Sequence, residues 1–136
     1  MGYTELNICF DLKKDTPKSV IDILHYLIVT EDNKPLELPK HPFFECRNWG
    51  IVACCYSYYF DGLTNSKMMF DNITEQYKVN IRSNLKNYDD VIDYFLDWLA
   101  PYMSSHGFIG YSRFEEFEDP SLIYIGENNE VIIKTI

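Results

Sequence analysis

The strongest helical pattern of the chain lies between Asn87 and Met103, NYDDVIDYFLDWLAPYM. Apolar side chains recur there at the three- and four-residue spacing of a buried helical face. They are Val91, Ile92, Phe95, Leu96, Trp98, Leu99 and Tyr102. Asn87 is a favourable N-cap, because its side-chain oxygen can accept a hydrogen bond from a free N–H group of the first turn. Pro101 lacks a backbone N–H group, so we expect the helix to end or bend there.

Three aspartates, Asp90, Asp93 and Asp97, recur at the same period on the opposite side of this helix. A stripe of this kind is usually the solvated face of a helix. The alternative is a negative surface that a basic partner recognises. We therefore treat these three carboxylates as candidate partner-binding residues.

Alternation of apolar and polar residues predicts strands elsewhere in the chain. Residues 4–12 place four apolar side chains on one side and mostly polar side chains on the other, which is typical of a half-buried strand. Residues 76–83 alternate in the same way. Residues 51–60 are rich in β-branched and aromatic side chains and are followed by an Asp-Gly turn signal, so they are predicted to form another strand.

The C-terminal part of the chain predicts three more strands. Residues 108–117 form the first, with Phe108 and Phe114 expected to face the core. Residues 122–125 and 131–136 are predicted to pair as a closing hairpin around the polar turn between them.

The remaining segments are less regular. A first helix is expected after Thr16, a favourable N-cap, with Pro17 at the first helical position. Residues 30–40 are polar and contain two prolines, which predicts a loop. The aromatic residues of segment 41–49 either plug the edge of the core or wall a pocket. Segment 63–74 is either a hairpin arm or an irregular crossing.

The predicted order is strand, helix, strand, strand, helix, strand, followed by the hairpin. This order predicts an α+β fold of the ferredoxin-like βαββαβ type, with an antiparallel sheet, two helices on one face and an extra C-terminal β-hairpin. A chain of 136 residues is typical of one domain, so residues 1–136 are expected to form a single α+β domain. Architecture alone indicates no chemistry, because one fold hosts many functions.

If two helices cover one side of the sheet, the outward positions of its strands form a polar face. The candidate ligand-binding residues collected there are Asn7, Asn80, Arg82, Tyr111 and Arg113. Two arginines and a tyrosine on a rigid platform could hold a flat anionic metabolite or nucleotide, arginine by paired hydrogen bonds and tyrosine by stacking. The alternative is a set of ordinary solvent-facing side chains in cross-strand charge pairs, such as Glu115 with Arg82.

Composition narrows the class of partner. A formal net charge of −9 disfavours binding to a nucleic-acid backbone, which requires clustered Lys and Arg. Eleven tyrosines are more than a core of this size needs, so some are expected at the surface or in a binding face. The four cysteines lack the spacing of a zinc site, and no secretion signal or membrane-spanning run is present in the sequence. We therefore expect reduced thiols in a cytoplasmic protein.

The sequence contains no hydrolase, nucleotide-binding or metalloprotease motif and implies no cofactor or metal, so a non-enzymatic protein is expected. Its small size, acidity and abundance of Asn, Asp, Ile and Tyr resemble accessory proteins of phages and prophages in AT-rich bacteria, which implies a modulator of a host protein. We expect a binding protein whose partner has a basic surface, with a small anionic ligand on the polar sheet face as the alternative. The apolar edge strand at residues 131–136 predicts a homodimer.

Overall fold

The computed structural model describes residues 2–29, 34–59 and 65–136, and these residues form one six-stranded antiparallel sheet and two α-helices. The strands are β1 (Thr4–Asp11), β2 (Lys67–Asp71), β3 (Gln76–Leu85), β4 (Gly107–Phe114), β5 (Ser121–Ile125) and β6 (Val131–Thr135). The helices are α1 (Lys18–Ile28) and α2 (Val91–Leu99). The order across the sheet is β2-β3-β1-β4-β5-β6. The α+β class predicted from the sequence is confirmed.

Strand β1 lies inside the sheet, and its alternation decides which side is buried. Leu6, Ile8 and Phe10 are at most 2% exposed, whereas the positions between them carry polar or thiol side chains on the other side. Ile8 lies opposite Ile81 of β3 and opposite Gly110 of β4. At β1 and β3, one side of the sheet therefore faces an apolar core and the other side carries mostly polar groups, as the alternation predicted.

The core joins this apolar side of the sheet to the buried faces of both helices. Helix α1 contributes Val20, Leu24 and Leu27, while α2 contributes Phe95 and Leu99. These positions have the spacing of one helical stripe. The longer helix, α1, has only 11 residues, and no helix in the described ranges is long and apolar enough to cross a membrane.

The prediction of a strand at residues 51–60 is wrong for the described part of that range, and Phe60 lies outside the described residues. A 3₁₀ turn (Trp49–Ile51) leads instead into an irregular segment. Single contacts hold this segment to the end of β3: the Cys55 N–H group donates to the Ser83 hydroxyl, and the Asn84 N–H group donates to the Cys55 carbonyl. β-Propensity mostly measures packing on a half-buried sheet, and the described part of this segment does not pair as a strand in the sheet.

The second strand comes from the segment that the sequence left open between a hairpin arm and an irregular crossing. Residues Lys67–Asp71 pair with β3, where Met68 lies opposite Val79 and Phe70 lies opposite Tyr77. The side chains of Met68 and Phe70 therefore lie on the core side of the sheet, together with Val79.

Helix α2 begins later in the chain than the hydrophobic pattern predicted. Asp89 and Asp90 have backbone φ angles of +61° and +56°, so the regular helix begins only at Val91. The Asn87 side chain still caps it, because Asn87 Oδ1 accepts a hydrogen bond of 2.9 Å from the Ile92 N–H group. Asp90 therefore precedes the helix, and the predicted three-residue acidic stripe has only Asp93 and Asp97 on α2 itself.

The prediction of a Thr16 cap on the first helix is wrong. The Thr16 hydroxyl donates a hydrogen bond of 2.6 Å to the Lys13 carbonyl, and Pro17 occupies the N-cap position. The hydroxyl is therefore bonded within the preceding turn and does not cap the helix. Ser and Thr side chains often make such local hydrogen bonds in place of helix capping.

Phe108 does not face the core. The pairing of β4 with β5 shifts between Phe108 and Gly110, which is a β-bulge, and the inward positions beyond it are Gly110, Ser112 and Phe114. Phe108 pairs with Tyr124, and both side chains point to the side of the sheet that faces away from the core. Phe108 is 57% exposed there. The extra residue of a bulge reverses the alternation, so the sequence pattern alone put Phe108 on the wrong side.

Candidate functional site

We call the side of the sheet that faces away from the core the open face. All five residues predicted for ligand binding lie on it. Asn7 of β1 lies opposite Arg82 of β3 on one side and opposite Tyr111 of β4 on the other. The Asn7 side-chain amide donates a hydrogen bond of 3.4 Å to the Tyr111 hydroxyl. Three adjacent strands thus bring these side chains together, as the predicted alternation required.

Arg113 and Lys78 on this face are paired with carboxylates. Arg113 Nε lies 3.8 Å from Glu5 Oε1. Lys78 Nζ lies 3.3 Å from Asp11 Oδ2 and 4.0 Å from Asp71 Oδ2. These two groups hold two cations and three carboxylates that largely neutralise one another within the sheet surface, so neither cation is fully available to a ligand.

Arg82 differs from those two cations. It is half-buried, and its guanidinium forms no ion pair with any carboxylate of the described residues. The predicted charge pair with Glu115 is not present: Glu115 lies beyond the end of β4 and its carboxylate accepts the N–H group of Tyr3. Lys67 of β2 lies opposite Asn80 and therefore diagonal to Arg82.

The side chains of Asn7, Asn80, Arg82, Lys67 and Tyr111 make up what we call the polar half of the open face. It contains two cations that have no carboxylate partner among the described residues, in a chain whose formal net charge is −9. Such an arrangement can hold an anionic group by charge-assisted hydrogen bonds.

The other half of the open face is apolar, and sequence reasoning missed it. Phe108, Tyr124 and Ile132 lie side by side on β4, β5 and β6, and Leu122 lies next to Tyr111. The Phe108 and Tyr124 rings meet edge to face with centroids 5.5 Å apart, and the Lys134 amine lies 4.5 Å from the Tyr124 ring centroid. We call Phe108, Leu122, Tyr124 and Ile132 the apolar half. Only the bulge in β4, which no sequence signal marks besides Gly110, brings Phe108 into it.

Tyrosines crowd the end of the open face where β1 begins. The Tyr59 hydroxyl donates a hydrogen bond of 2.9 Å to the Glu115 carbonyl, so the segment before it lies across this end. Tyr58 is 85% exposed and its ring meets the Tyr3 ring edge to face at 6.0 Å. The expectation that surplus tyrosines lie at the surface is confirmed for this segment.

The α2 aspartates of the predicted acidic stripe lie on the opposite side of the molecule from the open face. Asp93 and Asp97 are exposed on the outer side of α2, because its inner side packs on the core. Asp97 Oδ2 lies 3.0 Å from His41 Nε2. Partial desolvation raises the pKa of Asp93, and the negative charge of Asp90 raises it further. The acidic surface is thus partly engaged with the protein's own side chains.

Segment 41–49 plugs the core. Phe43 is fully buried, and its ring stacks on Trp98 at 5.6 Å and contacts Phe95 at 5.2 Å. Phe44 contacts the Trp98 ring at 5.1 Å. A shallow depression of about 420 Å³ lies outside this plug, next to His41. The first of the two predicted roles, plugging the core edge, is therefore confirmed.

The described residues contain no group of three or more His, Cys, Asp or Glu side chains that could hold a metal ion. The open face instead offers hydrogen-bonding groups, cations and an apolar surface, all of which serve binding. Comparison with protein-family models, with curated proteins and with solved structures finds no match to this chain.

Proposed function

We propose that this chain is a small non-enzymatic binding protein that docks on another protein through the open face of its sheet. The observation that carries the proposal is the apolar half, where Phe108, Leu122, Tyr124 and Ile132 lie on three adjacent strands that no described element covers. Scattered exposed apolar side chains need no explanation, but a contiguous patch typically marks an interaction site.

The surroundings of the patch support the same function. Tyr111 lies directly opposite Leu122 of the patch, and Arg113 is the next residue of β4 on the same face. Tyrosine and arginine are the residue types that carry much of the binding energy in protein interfaces. The polar half would then form the rim, where water-accessible hydrogen bonds set orientation. A flat sheet surface is also rigid, so little conformational entropy is lost on binding.

The role that we propose is that of a phage-type accessory protein that modulates a host protein. The acidic residues Asp90, Asp93 and Asp97 remain candidates for contact with a basic partner. Because they lie on the other side of the molecule from the open face, the two surfaces would serve two different partners or two sides of one assembly. Binding through the acidic side should weaken with salt, and binding through the apolar half should not.

We also propose that the fold is of the ferredoxin-like type, extended by a C-terminal hairpin. The strand order β2-β3-β1-β4 supports this, since it interleaves the strands of two βαβ halves, and β5 and β6 then follow β4 at one edge.

Site-specific photo-cross-linking in cells tests the docking function. A photoreactive residue at position 132 should form a discrete adduct with a partner protein, and the same residue at position 22, on the exposed side of α1, should not. A second change on the patch, Phe108→Ser, should abolish the adduct at 132. Equal adducts from both positions, or an adduct at 132 that survives Phe108→Ser, would contradict docking through the apolar half.

A second function, binding of a small anionic ligand, is favoured by one specific feature: the half-buried Arg82 without a carboxylate partner among the described residues. Nucleotides and anionic metabolites should then raise the melting temperature in a saturable way. Arg82→Ala should remove that gain, whereas Lys18→Ala, which removes an exposed cation already paired with Asp22 on α1, should leave it unchanged. An undiminished gain in Arg82→Ala would exclude this ligand site.

A further inference from the structure

A separate cleft lies on the core side of the sheet, where β1 and β5 begin and α2 does not reach. Its volume is about 410 Å³, which is within the range of roughly 300–1,000 Å³ usual for small-molecule sites. A second cavity of about 320 Å³ adjoins it and shares Gly2, Lys86 and Phe114 in its lining. This cleft is not part of the open face, so what it binds is independent of the docking function proposed above.

The floor of the cleft is made of hydroxyl groups. Thr4, Ser112 and Ser121 occupy inward positions of β1, β4 and β5, where the neighbouring inward residues Leu6 and Ile123 are fully buried aliphatic side chains. Ser112 lies directly opposite Ser121. A stable fold favours apolar residues at the inward positions of a strand. Polar residues at such positions are found most often at functional sites.

These three hydroxyls have no hydrogen-bond partner within the described part of the chain, although all three line the same cleft. The buried hydroxyl of Ser83 on β3 shows the contrast, because it accepts the Cys55 N–H group and donates to the Cys55 carbonyl. Ser83 thus has a structural role, whereas the hydroxyls of the cleft are left to water or to a ligand.

The walls of the cleft are aromatic. The Phe114 and Phe117 rings meet edge to face at 5.5 Å. Tyr88 lines the cleft as well, and its ring is held by the Arg47 guanidinium at 4.8 Å. Phe117 is 63% exposed and follows β4, so burial on folding does not account for it. Fixed aromatic rings favour a planar guest that can stack on them.

The charge of the cleft favours a neutral guest. Its lining has one cation, Lys86, and one anion, Asp119. A hydroxyl group both donates and accepts hydrogen bonds, so the floor matches a ring whose edge carries donors and acceptors together. A purely apolar guest would displace water from the three hydroxyls without replacing the hydrogen bonds of that water, which costs free energy.

We propose that this cleft binds a neutral planar heterocycle of nucleobase or nucleoside size, stacked on Phe114, Phe117 or Tyr88 and hydrogen-bonded to Thr4, Ser112 and Ser121. The adjoining cavity beside Lys86 leaves room for a substituent such as a ribose. The residue types are those that read single bases elsewhere, where stacking gives affinity and hydroxyls bond to base edges.

Saturation-transfer NMR and titration with adenosine, guanosine, cytidine and uridine test the proposal, with glucose and benzoate as a non-planar polyol and an anion. At least one nucleoside should bind with a Kd below about 1 mM. The double variant Ser112→Ala/Ser121→Ala should weaken that binding about tenfold or more. Phe117→Ala should weaken it at least about fivefold, and because Phe117 is exposed this variant should stay folded.

Phe108→Ala is the matched control, since it removes a similarly exposed phenylalanine from the open face. It should leave nucleoside binding unchanged while impairing the docking proposed above. The inference is overturned if no nucleoside binds at about 1 mM, if glucose or benzoate binds as well as the nucleosides, or if Phe117→Ala and the serine double variant both bind like the unmodified protein.

Discussion

At the scale of single residues, Gly110 has the strictest requirement in the sheet. Its φ is +152°, and a Cβ atom there would collide with the Asn7 carbonyl oxygen and lie 2.7 Å from Ile8 Cα. The backbones of β1 and β4 approach closely at this point because no side chain separates them. The same glycine follows the bulge that turns Phe108 outward.

We therefore expect Gly110→Ala to lower the free energy of unfolding by at least about 3 kcal/mol. Gly107→Ala is the control: its φ is +87°, yet nothing lies within 4 Å of the added Cβ, so only the backbone strain of about 1–2 kcal/mol applies. Urea denaturation measures both. Equal losses in the two variants would show that the contact with β1 is not the decisive term.

Asp89 is the residue through which segment 41–49 is tied to the start of α2. Its carboxylate accepts the Arg47 N–H group at 3.0 Å and the guanidinium at 3.3 Å. The backbone N–H and then the guanidinium of Arg47 lower the pKa of Asp89 below its ordinary value. A lowered folded-state pKa stabilises the protein above the unfolded pKa, and this stability is lost as the pH falls through the folded pKa.

Asp89→Asn should consequently lower the melting temperature at about pH 7, and the difference from the unmodified protein should shrink towards about pH 2. Asparagine tolerates the positive φ of this position, so the backbone is not disturbed. Asp22→Asn, which removes only an exposed ion pair with Lys18, should have little effect at any pH. A melting-temperature difference for Asp89→Asn that stays constant over this pH range would argue against the charge as its cause.

At the scale of elements, segment 41–49 supplies core side chains although it lies outside the α-helices and strands. Phe43 lies in a short 3₁₀ turn (Pro42–Glu45) and contacts the rings of Phe44, Trp49, Phe95 and Trp98. The aromatic cluster therefore joins this turn to α2.

Phe43→Ala should cost about 3–5 kcal/mol of unfolding free energy, the usual loss for a buried phenylalanine. Phe44→Ala, one position along and only half-buried, should cost clearly less. Trp49 and Trp98 lie in the same cluster, so their fluorescence during urea denaturation reports both variants. A larger loss for Phe44→Ala would mean that Phe43 does not anchor the cluster.

The elements differ in how far local sequence determined them. Helix α2 and strands β1 and β3 follow from side-chain periodicity, since a buried stripe or a buried side is a property of the segment itself. Residues 51–60 carry the β-branched and aromatic side chains of a strand but contact the end of β3 at single points. The less regular residues of β2 pair along β3 instead. Pairing with β3, and not β-propensity, therefore determined which of the two segments became a strand.

At the scale of the whole molecule, β6 ends the sheet with an unprotected edge. Ile132 and Ile133 are exposed on opposite sides of the strand, and Lys134, the only charged residue of β6, lies over the Tyr124 ring. Lysines, prolines and bulges normally guard such edges against pairing, and β6 has little of this protection. A second copy could extend the sheet by antiparallel pairing along β6, which is a self-complementary two-fold contact.

We accordingly expect a homodimer at high protein concentration, and we expect added salt of about 0.5 M to strengthen it, because two chains of charge −9 repel each other. Ile133→Lys should leave the chain folded and monomeric. Phe108→Ser, which changes the apolar half away from the edge, should leave the dimer intact. Sedimentation velocity measures all three proteins, and a monomer throughout, with and without salt, would refute pairing through β6.

The candidate sites, like the elements, differ in how far the local sequence determined them. Four of the five residues of the polar half were predictable, because Asn7, Asn80, Arg82 and Tyr111 take outward positions that alternation alone assigns. The fifth, Lys67, joins them only through the pairing of β2 with β3. The apolar half was not predictable, because it depends on the bulge before Gly110. The hydroxyl floor of the cleft was not predictable either, since Thr4, Ser112 and Ser121 meet only through the register of β1, β4 and β5.

By itself, the amino-acid order determined an α+β protein with an amphipathic central helix, strands of two-sided character and an acidic surface. Each of these depends on spacing within one segment, which the peptide geometry makes periodic. Tertiary structure alone decided which segment pairs with β3, which way Phe108 points and which hydroxyls share a cleft. Those outcomes depend on partners far apart in the chain, and contacts at long sequence separation leave no mark in the periodicity of either segment.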